Sequence, residues 1–211
     1  MLRSLVGSEM CIRDRVKDDG KVYEFTLRPK VHFHNGAVLT AGDVAWNFKR
    51  YLDPKTNFQC VNRYNGKIGP ALQQVDAVDA QTVRFTFASP APSFLMTLAT
   101  IQCTPWILHP DSVNADGSFK APIGTGPYAF AGMMTGRQLD LKRFEAYDAL
   151  PGARDGYAGN KTATIPLLRF MTVPDASTRS NGLLSGDLDV VDGIEPATMQ
   201  TLRGQGLTVQ V

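Results

Sequence analysis

The sequence predicts an α/β fold of mixed sheets with flanking helices. Three stretches carry that prediction. In residues 22–28 apolar and polar side chains alternate with period two. In residues 40–52 a capped segment repeats its apolar residues at helical spacing. In residues 167–191 strand, helix and strand follow one another within about 25 residues. The 211 residues are 43% hydrophobic and 20% charged, enough for a packed core in one domain or in parts of two.

Taken in order, the first fifteen residues, "MLRSLVGSEMCIRDR", show neither helical nor strand periodicity and no signal-peptide h-region. They resemble a translated adapter sequence, "LVGSEMCIRDR", so residues 1–15 are expected to be a non-native segment, with a short polar N-terminal extension as the alternative, and no element is assigned to them. Tyr23, Phe25 and Leu27 then share one face of a strand with Glu24, Thr26 and Arg28 on the other, and Pro29 stops the pairing. Val31 and Phe33 face one way, His32 and His34 the other, before a tight turn at Asn35-Gly36. Thr40 opens a helix with Asp43 at the capping-box position, and Val44, Phe48, Tyr51 and Leu52 form its apolar stripe. Asp53-Pro54 ends it.

Residues 57–70 read as a polar loop. Two strands, 75–78 and 82–88, follow across Asp79-Ala80-Gln81, with Val83, Phe85 and Phe87 on one face. Ser93 is expected to cap a short helix over 94–101. Trp106–Leu108 is a short apolar run. "PIGTGPY", residues 122–128, is a rigid crossover whose glycines are expected at positive φ. Strands 128–132 and 138–144 make a hairpin about Thr135-Gly136, and residues 149–164 are irregular. Residues 167–173 form an apolar strand, Asp175 caps helix 176–185, Gly186 ends it, and 188–191 form a second strand. A helix over 197–203 stops at Gly204, and a further strand starts at Leu207.

The 22 basic and 20 acidic residues give a net charge of +2 with both signs interspersed, which argues against a nucleic-acid surface. No apolar run reaches the length of about 18 residues that a membrane span needs. Outside the first fifteen residues the cysteines are Cys60 and Cys103. Either they close a disulfide loop in an oxidising compartment or they are two buried thiols.

Chemistry-bearing motifs are sparse. His32 and His34 could share a metal, but no third ligand is evident, and an exposed polar strand face fits as well. Gly124-Thr125-Gly126 is followed by no Gly-Lys-Ser/Thr, so it is no phosphate loop. Asp187, Asp189 and Asp192 offer either an acidic cation site or a solvated strand edge. Asn160-Lys161-Thr162 matches a glycosylation sequon, a short and weak motif. The residues alone reach a soluble α/β domain without a catalytic constellation or a cofactor.

Four ordered motifs go further. Val31, Phe33, His34, Asn35, Gly36, Leu39, Thr40, Ala41, Asp43 and Val44 match a "V-x-F-H-[DN]-G-x-x-[LF]-T-A-x-D-V" pattern. "VDAVDAQTVRFTFASPAPSFLMTLA", "PIGTGPYAF" and "VPDASTRSNGLLSGDLDVVDGI" follow in the same order. Together they resemble the family 5 extracellular solute-binding proteins, the peptide- and nickel-type receptors of bacterial ABC importers. Lys30 departs from the pattern, where a glycine is usual.

The resemblance implies a periplasmic-binding-protein-like (type II) two-lobe fold, of which this chain holds the N-terminal lobe: a smaller subdomain over 16–121 and part of the main lobe over 122–211. It also implies a non-enzymatic, monomeric receptor, periplasmic or lipid-anchored, that closes on oligopeptides, dipeptides or a similar solute and docks on a membrane permease. A solute-sensing regulator built on the same clamp is the alternative. The resemblance makes His34 a scaffold residue. Asp192, Gly193 and Ile194 are the ligand-facing candidates, because ligands of open α/β sheets sit beyond the carboxyl ends of strands.

Overall fold

The computed structural model describes residues 11–155 and 158–209. The chain divides into two compact units, Met1–Phe130 with Leu141–Leu167, and Ala131–Asp140 with Leu168–Val211.

The first unit contains a four-stranded antiparallel sheet in the order β1 (Cys11–Lys17), β2 (Val22–Leu27), β4 (Thr82–Phe87), β3 (Leu72–Ala77). Tyr23 lies opposite Phe85, and Phe25 opposite Val83. This register stacks the apolar sets of both strands on one side, where Tyr23, Phe25, Leu27, Val83, Phe85 and Phe87 are buried. Burying each of the large side chains contributes about 1.5–3 kcal/mol. Helix α1 (Ala41–Leu52) packs across β3 and β4. It delivers Val44 and Phe48 to the core, Phe48 meeting Phe85 at 4.8 Å between ring centroids. Helix α2 (Phe94–Ala99) inserts Phe94 among Tyr23, Phe25, Phe85 and Phe87, at centroid distances from 4.8 to 6.2 Å.

The local signals around α1 are met. Thr40 Oγ1 accepts from the Asp43 N–H at 3.3 Å, and the Asp43 carboxylate accepts from the Thr40 N–H at 2.8 Å. Asp53 closes the helix in extended conformation, as its position before Pro54 requires. Gly36 turns at φ +88°, its N–H donating to the Phe33 carbonyl at 2.8 Å.

Lys30 stands at φ +63°, in the left-handed region that disfavours any side chain with a Cβ. The turn therefore keeps a glycine geometry around a lysine. Lys30→Gly is expected to stabilise the chain by about 0.5–1 kcal/mol, read as a rise in the urea midpoint at unchanged slope.

Three local expectations are corrected. Residues 11–15 do contribute structure: β1 runs antiparallel to β2, with Arg15 opposite Glu24 and Val16 opposite Tyr23. Ladder hydrogen bonds come from the backbone, so an open edge of β2 accepts an extended segment whatever its side-chain pattern. Residues 1–10 lie outside the described residues. Ser93 makes no side-chain cap; its backbone carbonyl instead accepts from the N–H and hydroxyl of Thr97. Neither Gly124 nor Gly126 is at positive φ, so the crossover glycines are not needed for a left-handed pivot.

β5 (Tyr128–Met134), β6 (Gln138–Arg143) and β9 (Leu167–Met171) form a three-stranded sheet with β6 central. Between them, β7 (Arg154–Asp155) and β8 (Ala158–Gly159) make a short antiparallel pair. Within the second unit the hairpin turns at Gly136, with the Arg137 N–H on the Met134 carbonyl at 2.9 Å. Arg169 grips Asp140 through two 2.8 Å bonds. Asp175 caps α3 (Ala176–Ser185) by accepting from the Thr178 N–H at 2.7 Å, and Gly186 ends it in left-handed conformation at φ +79°. Helix α4 (Pro196–Gly204) buries Leu202.

Residues 188–191 are not a strand, so the expected strand–helix–strand unit is not completed among the described residues. The Leu188 N–H turns back to the Gly182 carbonyl, and Val190 is 88% exposed. An apolar run becomes a strand only where a ladder partner lies alongside it. Residues 207–209 are likewise irregular.

Candidate functional site

A segment clamped by α1 builds one wall of a cavity in the first unit. Pro105 and Ile107 are buried, while Trp106 between them is 64% exposed, the alternation of an extended chain. Asn47, itself 1% exposed, accepts from the Leu108 N–H at 3.1 Å and donates to the Leu108 carbonyl at 2.8 Å. The Tyr51 hydroxyl donates to the Trp106 carbonyl, and burial pushes its pKa up to about 12, keeping it a neutral donor. Cys103 is joined to Cys60 by a disulfide with Cα atoms 5.6 Å apart, which resolves the alternative left open by the sequence. Four fixed points thus hold the backbone that presents the indole.

The crossover forms the second wall, and His34 holds it. The His34 N–H donates to the Gly124 carbonyl at 2.9 Å, and the Gly124 N–H donates to His34 Nδ1 at 3.3 Å. His34 Nε2 lies 3.0 Å from the Gly126 carbonyl, and the ring packs edge-on against Phe144. One nitrogen accepting and the other donating requires the neutral imidazole. Burial lowers the His34 pKa, opposed by the Gly126 bond. The sequence expectation that His34 is scaffold follows this geometry.

The folded chain therefore resists a proton that the unfolded chain takes up near pH 6.5. Stability is expected to be full above 6.5 and to fall as pH drops from there towards the depressed folded value. Denaturant unfolding at pH 7.5 and 5.0 checks this, and His34→Gln should remove the part of the pH dependence that His34 carries.

Arg28 supplies a polar group to the lining. Its side chain is 10% exposed, and its guanidinium donates to the Asp148 backbone carbonyl and lies 3.4 Å from the Asp148 carboxylate. Arg28 Nε and the Tyr147 hydroxyl are buried without a protein partner. Between these walls is a cavity of about 380 Å³. Val31, Trp106, Leu108, Pro122 and Pro127 give it an apolar lining, with Arg28, His32, Tyr147, Asp148 and Lys161 at its polar positions. The volume lies in the range of small-molecule sites, roughly 300–1,000 Å³. Apolar walls with a few fixed polar groups hold and orient a ligand.

The other candidates are placed as follows. His32 lines the cavity, whereas His34 faces the crossover. Among the described residues no three His, Cys, Asp or Glu side chains gather as a metal site. Asp187 accepts from the Ser185 hydroxyl at 2.8 Å. The Asp192-Gly193-Ile194 loop belongs to the second unit, where the Gly193 carbonyl accepts from Arg179 at 3.0 Å. Sequence reasoning passed over Arg28, Trp106 and Tyr147. One signal was available: Asn47 falls between Val44 and Phe48 on the buried face of α1, a polar residue at a core position that must find a partner.

Comparison with solved structures gives the class. The chain superposes on PBP AgaA in complex with agropinic acid from A.tumefacien R10 with a TM-score of 0.76 and 26% identity, over 96% of this chain and 40% of that one. The fold is that of the periplasmic binding proteins. The chain belongs to the bacterial extracellular solute-binding proteins, family 5 Middle, whose profile matches residues 9–210. It is similar to the nickel-binding periplasmic protein of Escherichia coli (strain K12), with 30% identity over 84% of this chain and 31% of the relative. It is also similar to the probable D,D-dipeptide-binding periplasmic protein DdpA of the same organism, with 26% identity over 90% of this chain and 34% of the relative. The chain spans about a third of the length of these curated relatives.

Proposed function

We propose that this chain is the N-terminal lobe of the substrate-binding component of an ABC importer. Residues 16–121 are its smaller subdomain and residues 122–211 part of its main lobe. The whole protein captures a small solute, an oligopeptide, a dipeptide or a similar molecule, by closing a second lobe over it, and delivers it to a membrane permease. The observation that carries this reading is the apolar cavity presented by Trp106 and the His34-held crossover in a chain of this family. The similar proteins bind nickel, agropinic acid or, by name, a D,D-dipeptide, so small solutes are the common theme. Closure about a hinge turns ligand binding into a population shift that a permease can recognise.

The protein acts outside the cytoplasm as a monomer, without catalysis. The Cys60–Cys103 disulfide supports an oxidising compartment. Asp192, Gly193 and Ile194 are proposed to face the ligand, with the Arg179 bond fixing the loop.

Thermal unfolding of the purified chain in the presence of a panel of di- and tripeptides, a nickel–histidine chelate and opine-type acids tests the reading. At least one member should raise the unfolding temperature and be recovered chemically intact. Turnover of a panel member, or no protection by any of them, overturns it.

A further inference from the structure

We infer that the cavity takes a small organic anion bearing an aromatic ring, with Trp106 as the residue that selects the ring. The inference rests on the proposed receptor function and names the ligand class of that same cavity.

Trp106 is the starting observation. An indole 64% exposed is unusual, because large aromatic side chains are mostly covered in folded proteins. This one is not loosely placed. Its neighbours Pro105 and Ile107 are buried, its carbonyl is bonded by Tyr51, and the next peptide is bridged by Asn47. A platform fixed in advance spends little conformational entropy when a ring stacks on it. Stacked or edge-on aromatic pairs also gain beyond simple area burial, which an aliphatic ligand cannot match.

Charge sets the other end of the ligand. The lining carries Arg28, whose Nε is buried without a hydrogen-bond partner, beside Asp148. Asp148 is a poor competitor for Arg28: its carboxylate is 3.4 Å away and 64% exposed, while the guanidinium is 10% exposed. A ligand carboxylate that approaches more closely than 3.4 Å gains a shorter charge-assisted bond to the same guanidinium. The indole and the guanidinium line the same cavity of about 380 Å³, so one ligand can meet both.

Indole N–H resonances of the ¹⁵N-labelled chain test this, since Trp46 on α1 serves as an internal control for Trp106. The probes are N-acetyl-L-phenylalanine, N-acetyl-L-alanine, which lacks the ring, and N-acetyl-L-phenylalaninamide, which lacks the charge. N-acetyl-L-phenylalanine should shift the Trp106 resonance saturably and leave Trp46 in place. Each of the other two should bind at least tenfold more weakly. Trp106→Leu should lose the binding while keeping the unfolding midpoint, because its side chain is exposed. Equal affinity for the alanine or the amide probe overturns the inference, as does an unmoved Trp106 resonance. If the panel of the preceding section contains a protective solute while the phenyl probe does not bind, only this inference fails. If nothing binds, both fail.

Discussion

Removing the Cys60–Cys103 bridge is expected to lower the unfolding free energy by about 4 kcal/mol. The two cysteines are 43 positions apart, so the bond closes a long loop. On the chain-entropy account, opening it restores to the unfolded ensemble the freedom that the cross-link had removed. The loop contains β3, β4 and α2, so the tether spans half of the first sheet and the helix that plugs its core. Typical domain stabilities are about 5–15 kcal/mol, so this is a large share. Cys103 is buried, which shields the bond in the folded chain. Cys60→Ser with Cys103→Ser, in a Cys11→Ser background to prevent new pairings, should unfold at clearly lower denaturant than the Cys11→Ser parent. Dithiothreitol should shift the parent and leave the triple variant unchanged. A shift under about 1 kcal/mol would show that the loop is ordered enough in the unfolded state for the bond to matter little.

Phe94→Ala is expected to cost about 3–5 kcal/mol. Phe94 is 3% exposed and meets Tyr23, Phe25, Phe85 and Phe87, so one side chain joins β2, β4 and α2. Truncation leaves a ring-sized hole whose walls are set by two paired strands and cannot readily collapse. Phe94→Leu should recover more than half of the loss. Phe170→Ala serves as contrast: Phe170 is 56% exposed, and its truncation should change stability by no more than about 0.5 kcal/mol. Urea unfolding of the three variants decides the matter, and equal losses at Phe94 and Phe170 would sink it.

In the two central strands of the first sheet, β2 and β4, the buried face follows the alternation of the sequence. Tyr23, Phe25 and Leu27 are buried, as are Val83, Phe85 and Phe87, because a strand with one covered face has no other way to hide an alternating apolar set. The Thr40 and Asp175 caps also formed, since each needs only a side chain and a backbone N–H three residues away. The motif resemblance led to the correct family through residues that serve scaffolding, His34 among them. The cavity was much less visible. Arg28 and Asp148 are 120 positions apart, and His34 and Gly126 are 92 apart, so no local pattern announces either contact. Trp106 read as part of a short apolar run, and its outward direction became apparent only once Asn47 and Tyr51 were seen to pin the segment.

Features closed within a few residues, the alternation, the Thr40 and Asp175 caps, the Asn35-Gly36 turn and the glycine stop after α3, were dictated by the chain's own order of side chains. Pairing was decided elsewhere. Residues 11–17 became a strand because β2 offered an edge, and residues 188–191 pair with no strand among the described residues. The choice between disulfide and thiols, the exposure of Trp106 and the cavity it borders all depend on residues brought together from far along the chain. A local pattern is settled by sterics and a hydrogen bond or two; a distant contact is settled only when the whole core has chosen its packing.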